Sequence, residues 1–266
     1  MVEARRWNRE ELLVVLNLYD KLQFGQFHSK QPVIIEVAAR INRTPGSVAM
    51  KLSNLASLDP KLKARGIVGL DGASKLDKEV WLEFQSNRDV LVPASEEAMR
   101  KLFSAGEHDE IDIIKNVGVI VQSAPSPPEG PTSSTAQVIV RRGQQYFRQV
   151  VLNAFGGRCA VTGIAVRDLL VASHILPWAT HPKSRLDSQN GIALSRLHDA
   201  AFDRGLITFD ENYRLVLSER LRGYLPQSAL EANFAAYSEK PLNLSPDVPP
   251  PSQEYLAAHR KRWDFV

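Results

Sequence analysis

Two short apolar runs and a helix-compatible segment, about two thirds of the way along the chain, constrain the fold most strongly. The run at 169–175 is rich in branched side chains and predicts a buried strand. Prolines, serines and an aspartate at 176–189 predict a loop, and 191–194 resumes as a second short strand. Ser195 suits the N-cap of a helix that Gly205 ends. The sequence therefore predicts a unit of strand, loop, strand and helix.

Three polar residues occupy fixed places in this unit. His174 lies at the end of the first strand, Asn190 begins the second, and His198 lies on the helix. Each alone has an ordinary reading, as a structural histidine, a turn asparagine or a helix-surface histidine. Histidine titrates near neutrality, so a neutral imidazole can accept a proton, and a second imidazole can bind a metal ion. Their joint spacing favours metal-assisted cleavage of a phosphodiester.

These residues resemble the HNH endonucleases, whose shared ββα-metal core is a β-hairpin and one helix around a single divalent metal ion. The resemblance lies in Ala-Ser-His-Ile at 172–175, Pro-Trp at 177–178, Asn-Gly-Ile-Ala-Leu at 190–194, and the segment from His198 to Phe-Asp-Arg-Gly at 202–205. It spans roughly 144–221. Apolar residues at 206–209 and 213–217 fit a second hairpin after the helix.

The resemblance implies a role for each polar residue. His174 would be the general base, Asn190 would orient its imidazole, and His198 would bind the metal from the helix. One divalent ion is implied, Mg²⁺ or Mn²⁺, with Zn²⁺ or Ni²⁺ as alternatives because histidine ligation suits them. If the chain behaves like its relatives, cleavage leaves 5′-phosphate and 3′-hydroxyl ends.

One position departs from the family pattern. Many members have an aspartate or a second histidine just before the base, as a metal ligand, whereas this chain has Ser173. A neutral hydroxyl is a weak ligand for a hard cation. Asp203 is the first candidate for the missing carboxylate and Asp199 the second. At 100° per residue, neither shares a helix face cleanly with His198.

Composition narrows the class of protein. The single cysteine, Cys159, excludes an internal disulfide and a cysteine-rich zinc site, and predicts a buried thiol. A net charge of +3 and a pI near 9.0 permit nucleic-acid binding without indicating it. No apolar run approaches the ~20 residues of a membrane span. The expected location is the cytoplasm, with no membrane partner.

A proline- and serine-rich stretch divides the chain. Residues 123–137 predict an interdomain linker, between a helical DNA-recognition domain at 1–122 and an HNH nuclease domain at 138–266. A second such stretch at 245–252 precedes a terminal segment whose apolar residues recur at helical spacing. That segment, 253–266, is expected to pack back on the nuclease domain.

The N-terminal region contains three helix patterns. Asn8 and Glu11 form a capping pattern for the first, the second runs from about Pro32 to Ile41, and Thr44 with proline at the next position begins the third. This order resembles helix-turn-helix or Myb-like domains, with a core at about 7–57. The alternative is a helical bundle with an ordinary solvated face.

The third helix has a polar set outside its apolar stripe. Such side chains suit phosphates and base edges in a major groove. The predicted DNA contacts are Arg43, Thr44, Ser47, Lys51 and Asn54. Residues 69–106 predict further helices, an extension of this domain with no evident chemistry.

These observations predict an α+β protein that acts as a metal-dependent DNA endonuclease of restriction or defence type on double-stranded DNA. One HNH site cuts one strand, so a homodimer is expected to serve a double-strand break. Two alternatives stay open, a DNA-binding regulator with a degenerate, inactive HNH fold and a weakly specific toxin or effector nuclease.

Overall fold

The chain forms two compact units, Met1–Gln149 and Val150–Val266. A computed structural model describes residues 5–106, 109–123 and 135–265. Most of the predicted linker at 123–137 therefore lies outside the described residues. Helices and small antiparallel sheets make the fold α+β. None of the described helices combines the length and apolarity that a membrane crossing requires.

The first unit consists mainly of helices packed around α1. In chain order its elements are α1 (Arg9–Lys21), α2 (Pro32–Arg40), α3 (Pro45–Ala56), α4 (Pro60–Ala64), α5 (Lys75–Ser86), α6 (Arg88–Leu102), β1 (Glu110–Ile114), β2 (Gly118–Gln122) and α7 (Thr135–Ala154). The antiparallel hairpin of β1 and β2 was absent from the sequence prediction. The division between the units falls within α7.

The predicted helix starts are confirmed by their caps. The Asn8 side chain accepts a hydrogen bond from the backbone N–H of Glu11, and the Glu11 carboxylate accepts one from the backbone N–H of Asn8. Thr44 caps α3 by accepting from the backbone N–H of Ser47. Such reciprocal bonds satisfy N–H groups that have no partner within a helix.

Five residues at and just before α3 were predicted to form an exposed polar face that contacts DNA. Three of the five are buried, so the predicted exposure is wrong for them. Arg43 is buried in an ion pair with Glu11 at 2.8 Å, and Lys51 is buried in one with Asp77 at 2.7 Å. Asn54 is also buried. The reason is that the segment before α1 and helix α5 cover this side of α3. Thr44 is exposed and Ser47 is half-buried, both at the start of the helix.

The second unit contains the predicted strand, strand and helix. Its elements are β3 (Leu170–His174), β4 (Gly191–Ser195), α8 (Arg196–Asp203), β5 (Ile207–Phe209), β6 (Leu215–Leu217), α9 (Glu219–Arg222), α10 (Ser228–Asn233) and α11 (Gln253–Arg262). Strands β3 and β4 pair antiparallel, with His174 opposite Gly191 and Leu170 opposite Ser195. The predicted second hairpin is β5 with β6. Both predictions are confirmed.

Helix α11 packs back on this unit, as its spacing predicted. Leu256 and His259 are buried, and α11 contacts β5. The Tyr255 hydroxyl donates to the Asp187 carboxylate at 3.1 Å, so α11 also reaches the loop between β3 and β4. Cys159 is buried, as predicted, and its sulfur accepts a hydrogen bond from the backbone N–H of Ser195.

A buried ion pair lies in the core of the first unit. The Lys21 ammonium on α1 donates to the Glu96 carboxylate on α6, and both side chains are almost fully buried. Asn17 donates to the same carboxylate at 3.0 Å. Burial lowers the pKa of Lys21, while the charge of Glu96 opposes that shift. The pair ties together the two helices that form the centre of the unit.

Replacing Glu96 with alanine is expected to destabilise the first unit by ~3 kcal/mol, because the buried Lys21 ammonium loses its carboxylate. Chemical denaturation of the variant and of the wild type measures the difference. The double variant Lys21→Met with Glu96→Leu removes both charges and is expected to recover most of the stability. A single variant as stable as the wild type would contradict this account.

Candidate active site

His174 is the last residue of β3, and the long loop that leads to β4 begins directly after it. Its Nε2 is 3.1 Å from the carbonyl oxygen of Arg185, and its ring meets Trp178 edge-on at 5.4 Å between centroids. Burial lowers the pKa of His174, and the hydrogen bond to Arg185 opposes this. The imidazole is therefore neutral at pH 7, and donation from Nε2 makes Nδ1 the basic nitrogen.

Asn190 is fully buried and closes the loop that follows His174. Its side-chain oxygen accepts from the backbone N–H of Leu176 at 2.8 Å, and its side-chain nitrogen donates to the carbonyl oxygens of Leu176 and Ser184. These bonds fix both the residues just after His174 and those just before Arg185. Asn190 therefore fixes the loop backbone on both sides of the segment that His174 contacts.

His198 is buried between α8 and the end of α10. It is fully buried, with Nδ1 2.8 Å from the Ser195 hydroxyl and Nε2 2.8 Å from the carbonyl oxygen of Asn233. Burial lowers its pKa, so the ring is neutral. Because protein oxygens engage both nitrogens, the geometry assigns His198 to holding α8 against α10. The metal-binding and catalytic role of His198 stays a prediction.

Two carboxylates of α8 lie on the face that His198 does not use. Asp199 and Asp203 are four residues apart, so both point to the same side of the helix. The pKa of Asp203 is raised by burial and then by the charge of Asp199. Burial also raises the pKa of Asp199, and the nearby Ser173 hydroxyl lowers it. The two carboxylates thus form a concentrated negative site.

A pocket of about 310 Å³ brings these groups together. Its walls come from the end of β3, from α8 and from α11. The lining residues include Ser173, His174, Trp178, Asp199, Asp203, His259, Arg262 and Trp263. His198 and Asn190 are not in this lining. A base and two carboxylates therefore share one cavity.

The oxygen donors in this pocket suit a hard divalent cation. Mg²⁺ prefers carboxylate oxygens, usually keeps several waters, and is commonly held by one or two carboxylates plus substrate phosphates. Asp199 and Asp203 meet that requirement without a histidine ligand. The buried Ser173 hydroxyl lacks a partner of ordinary hydrogen-bond geometry among the described residues, although it lies near Asp199. Within the described part of the chain, no three or more His, Cys, Asp or Glu side chains are placed so that together they could hold a metal ion.

The contribution of α11 to the pocket was not predicted from the sequence. His259 and Arg262 both line the pocket, and neither was predicted as a site residue. The available signal was the helical spacing of Tyr255, Leu256, His259 and Trp263, which predicted contact with the nuclease unit. It did not show which side chains reach the site.

Comparison with known proteins agrees with this core. Residues 159–210 match the model of a family described as HNH endonuclease. The matched segment contains β3, β4, α8 and β5, so the C-terminal region of the chain carries an HNH endonuclease domain. A search of curated proteins gave no match.

His259 makes the stability of the second unit depend on pH. The ring stacks on Phe202 at 3.8 Å, its Nε2 is 3.1 Å from the carbonyl oxygen of Phe202, and its Nδ1 is 3.0 Å from the Thr208 hydroxyl. Burial first, and then the charges of Arg262 and Arg260, lower its pKa from 6.5 to about 4. The folded protein therefore resists protonation of this ring.

Stability is expected to fall as the pH drops from 6.5 to about 4, since the unfolded chain binds a proton in this window and the folded chain does not. This one group contributes about 3 kcal/mol to that loss. Urea denaturation of the wild type and of His259→Gln, from pH 7 to pH 4, measures it. The variant should show the shallower dependence, and parallel curves would contradict the assignment.

Proposed function

We propose that this chain is a metal-dependent DNA endonuclease of restriction or defence type. The observation that carries the proposal is the pocket in which His174 of β3 meets Asp199 and Asp203 of α8, within the segment that matches the HNH endonucleases. Hydrolysis of a phosphodiester needs a base that takes a proton from water and a cation that stabilises the charge on the phosphate, and a neutral imidazole beside two carboxylates can provide both. The expected setting is the cytoplasm, with double-stranded DNA as the substrate.

His174 is the general base in this proposal. Its Nδ1 accepts a proton from the attacking water while Nε2 keeps its hydrogen bond to the carbonyl oxygen of Arg185. The water oxygen forms a bond to phosphorus, the bond from phosphorus to the 3′ oxygen breaks, and the leaving 3′ oxygen takes up a proton from solvent water. Asn190 keeps the loop backbone in place, so the imidazole does not have to be ordered during the reaction.

Asp199 and Asp203 hold the divalent cation, Mg²⁺ or Mn²⁺, with Ser173 beside them. A bound cation offsets the negative charge that develops on the phosphate and the leaving oxygen. This assignment keeps the two aspartates of the predicted ligand set and leaves out His198. It also accounts for Ser173, because two carboxylates on one helix face make a ligand before the base unnecessary.

The first unit is proposed to select the DNA. Because Arg43, Lys51 and Asn54 are buried, the proposed surface includes the exposed Lys61 and Lys63 that follow α3. Exposed cations of this kind contact phosphates. One pocket cuts one strand, so two copies of the chain would serve a double-strand break.

Replacing His174 with alanine is expected to reduce Mn²⁺-dependent cleavage of supercoiled plasmid by ~10²- to 10⁴-fold, because no base remains to take the proton. DNA binding in EDTA, measured by gel shift, should stay within about twofold, since a base contributes little to affinity. The matched control is His181→Ala, a loop histidine outside the pocket lining, which should cut like the wild type.

Retained cleavage by His174→Ala would remove this residue from the mechanism. A wild type that binds DNA but does not cut it with any divalent metal would favour the inactive regulator. Smeared products in place of discrete bands would favour the weakly specific nuclease.

The two aspartates and His198 are expected to behave differently when replaced. Asp203→Asn should raise the Mn²⁺ concentration for half-maximal cleavage roughly tenfold or more, because one charged ligand is lost. His198→Gln should lower the melting temperature and leave that concentration nearly unchanged, because the ring holds two protein oxygens. Metal titrations and thermal melts of both variants provide the comparison, and the reverse pattern would restore His198 as the ligand.

A further inference from the structure

Helix α11 brings one strong cation to the pocket. Arg262 is the last residue of α11 and lines the cavity together with His174 and Asp203. Among the described residues that line the pocket, it is the single lysine or arginine. The same cavity holds two carboxylates, which repel a DNA phosphate. A protein cation at this place has an evident electrostatic partner in the substrate.

The guanidinium of Arg262 is available to a ligand. Its side chain is exposed, and none of the described residues gives it a hydrogen bond or salt bridge. By contrast, Arg185 and Arg196 donate to backbone carbonyl oxygens at 2.7 and 3.3 Å. Those two bonds hold the loop and α8, so these side chains are already used within the protein.

The guanidinium of Arg262 lies over the ring of Trp263. Its guanidinium carbon lies 5.1 Å from the centre of the Trp263 ring, and that ring also lines the pocket. The charge of Arg262 opposes the rise in the pKa of Asp203 and contributes to the lowering of the pKa of His259, so it acts within electrostatic range of both. The guanidinium is therefore held near the carboxylates at the pocket without being bonded to them.

We propose that Arg262 binds the non-bridging oxygens of the phosphate that is cut, which rests on the proposed function of this site. A guanidinium offers a planar fork of donors that fits two phosphate oxygens at once. The negative charge on these oxygens changes as water attacks, and a fixed donor pair stabilises it. Arg262 thus adds a phosphate clamp from outside the segment that matches the HNH endonucleases.

Three variants test the clamp, namely Arg262→Gln, Arg262→Lys and the control Lys261→Gln. The control removes the same charge from the neighbouring exposed position, which does not line the pocket. Cleavage of supercoiled plasmid and of bis(p-nitrophenyl) phosphate is measured with saturating Mn²⁺. Arg262→Gln is expected to slow both by ~10²-fold, as removal of one transition-state donor does. Arg262→Lys should lose less, and Lys261→Gln should stay within about twofold.

A second readout is independent of cleavage. DNA binding without divalent metal is followed by gel shift across salt concentrations, where loss of one phosphate contact lowers the slope of log affinity against log salt by about one. Arg262→Gln should show this decrease and Lys261→Gln should not. Melting temperatures check the fold, and the exposed Arg262 side chain predicts an unchanged value. If Arg262→Gln is unstable, the comparison is made with Arg262→Lys.

Three outcomes overturn the clamp. Arg262→Gln that cuts at the wild-type rate removes the role, and an equal loss in Lys261→Gln indicates diffuse attraction. A rate for Arg262→Gln that returns to the wild-type value when Mn²⁺ is raised above the concentration that saturates the wild type shows that Arg262 serves only Asp203 and the metal. The proposed function fails separately, if the wild type cuts neither substrate with any divalent metal.

Discussion

The carboxamide of Asn190 holds the candidate site together. One fully buried side chain makes three hydrogen bonds to the backbone of the loop between β3 and β4. The backbone N–H of Ile175 also donates to the carbonyl oxygen of Asn190 at 2.9 Å. A loop of this length has much conformational entropy to lose, and bonds of this kind concentrate its population in one shape. The loop begins directly after His174 and contains Arg185, so its shape determines whether the His174 imidazole reaches the carbonyl oxygen of Arg185.

Much of the fold could be predicted because its signals are local. Apolar runs, caps and stop residues act within a few positions, so the sequence located β3, β4, α8 and the hairpin of β5 with β6. The cap at Ser195 shows this well, since its hydroxyl lies 3.4 Å from the backbone N–H of His198, three residues along. The pairing of α11 with this unit was also predicted, because its buried residues recur at helical spacing.

The remaining differences concern polar side chains whose partners are distant in sequence. Arg43 and Lys51 fit an outer helix face by pattern, yet their partners Glu11 and Asp77 lie 32 and 26 residues away and bury them. His198 has the spacing of a ligand, but the carbonyl oxygen that engages its Nε2 is 35 residues further on. A polar residue in a local sequence pattern is usually exposed or functional, and the pattern does not show a partner that lies far away in the chain and buries it.

The short helix α8 separates two tasks by its faces. His198 turns inward and bonds to Ser195 and Asn233, whereas Asp199 and Asp203 line the pocket. An eight-residue helix has little stability of its own. The inward histidine anchors it, and this anchoring lets the other face carry two like charges. The sequence identified all three residues as candidates, but it did not show which of them faces the protein interior and which line the pocket.

Gly205, just after α8, has a consequence for where the HNH domain ends. It adopts a positive φ of 61°, and a Cβ at this position would overlap the indole ring of Trp263. The ring that occupies this space comes from beyond α11, far outside the matched segment 159–210. The matched segment therefore leaves out a side chain that packs against it. A fragment trimmed to its borders would lose a wall of its own cavity, so the boundary of this domain is set by side-chain contact and not by sequence similarity.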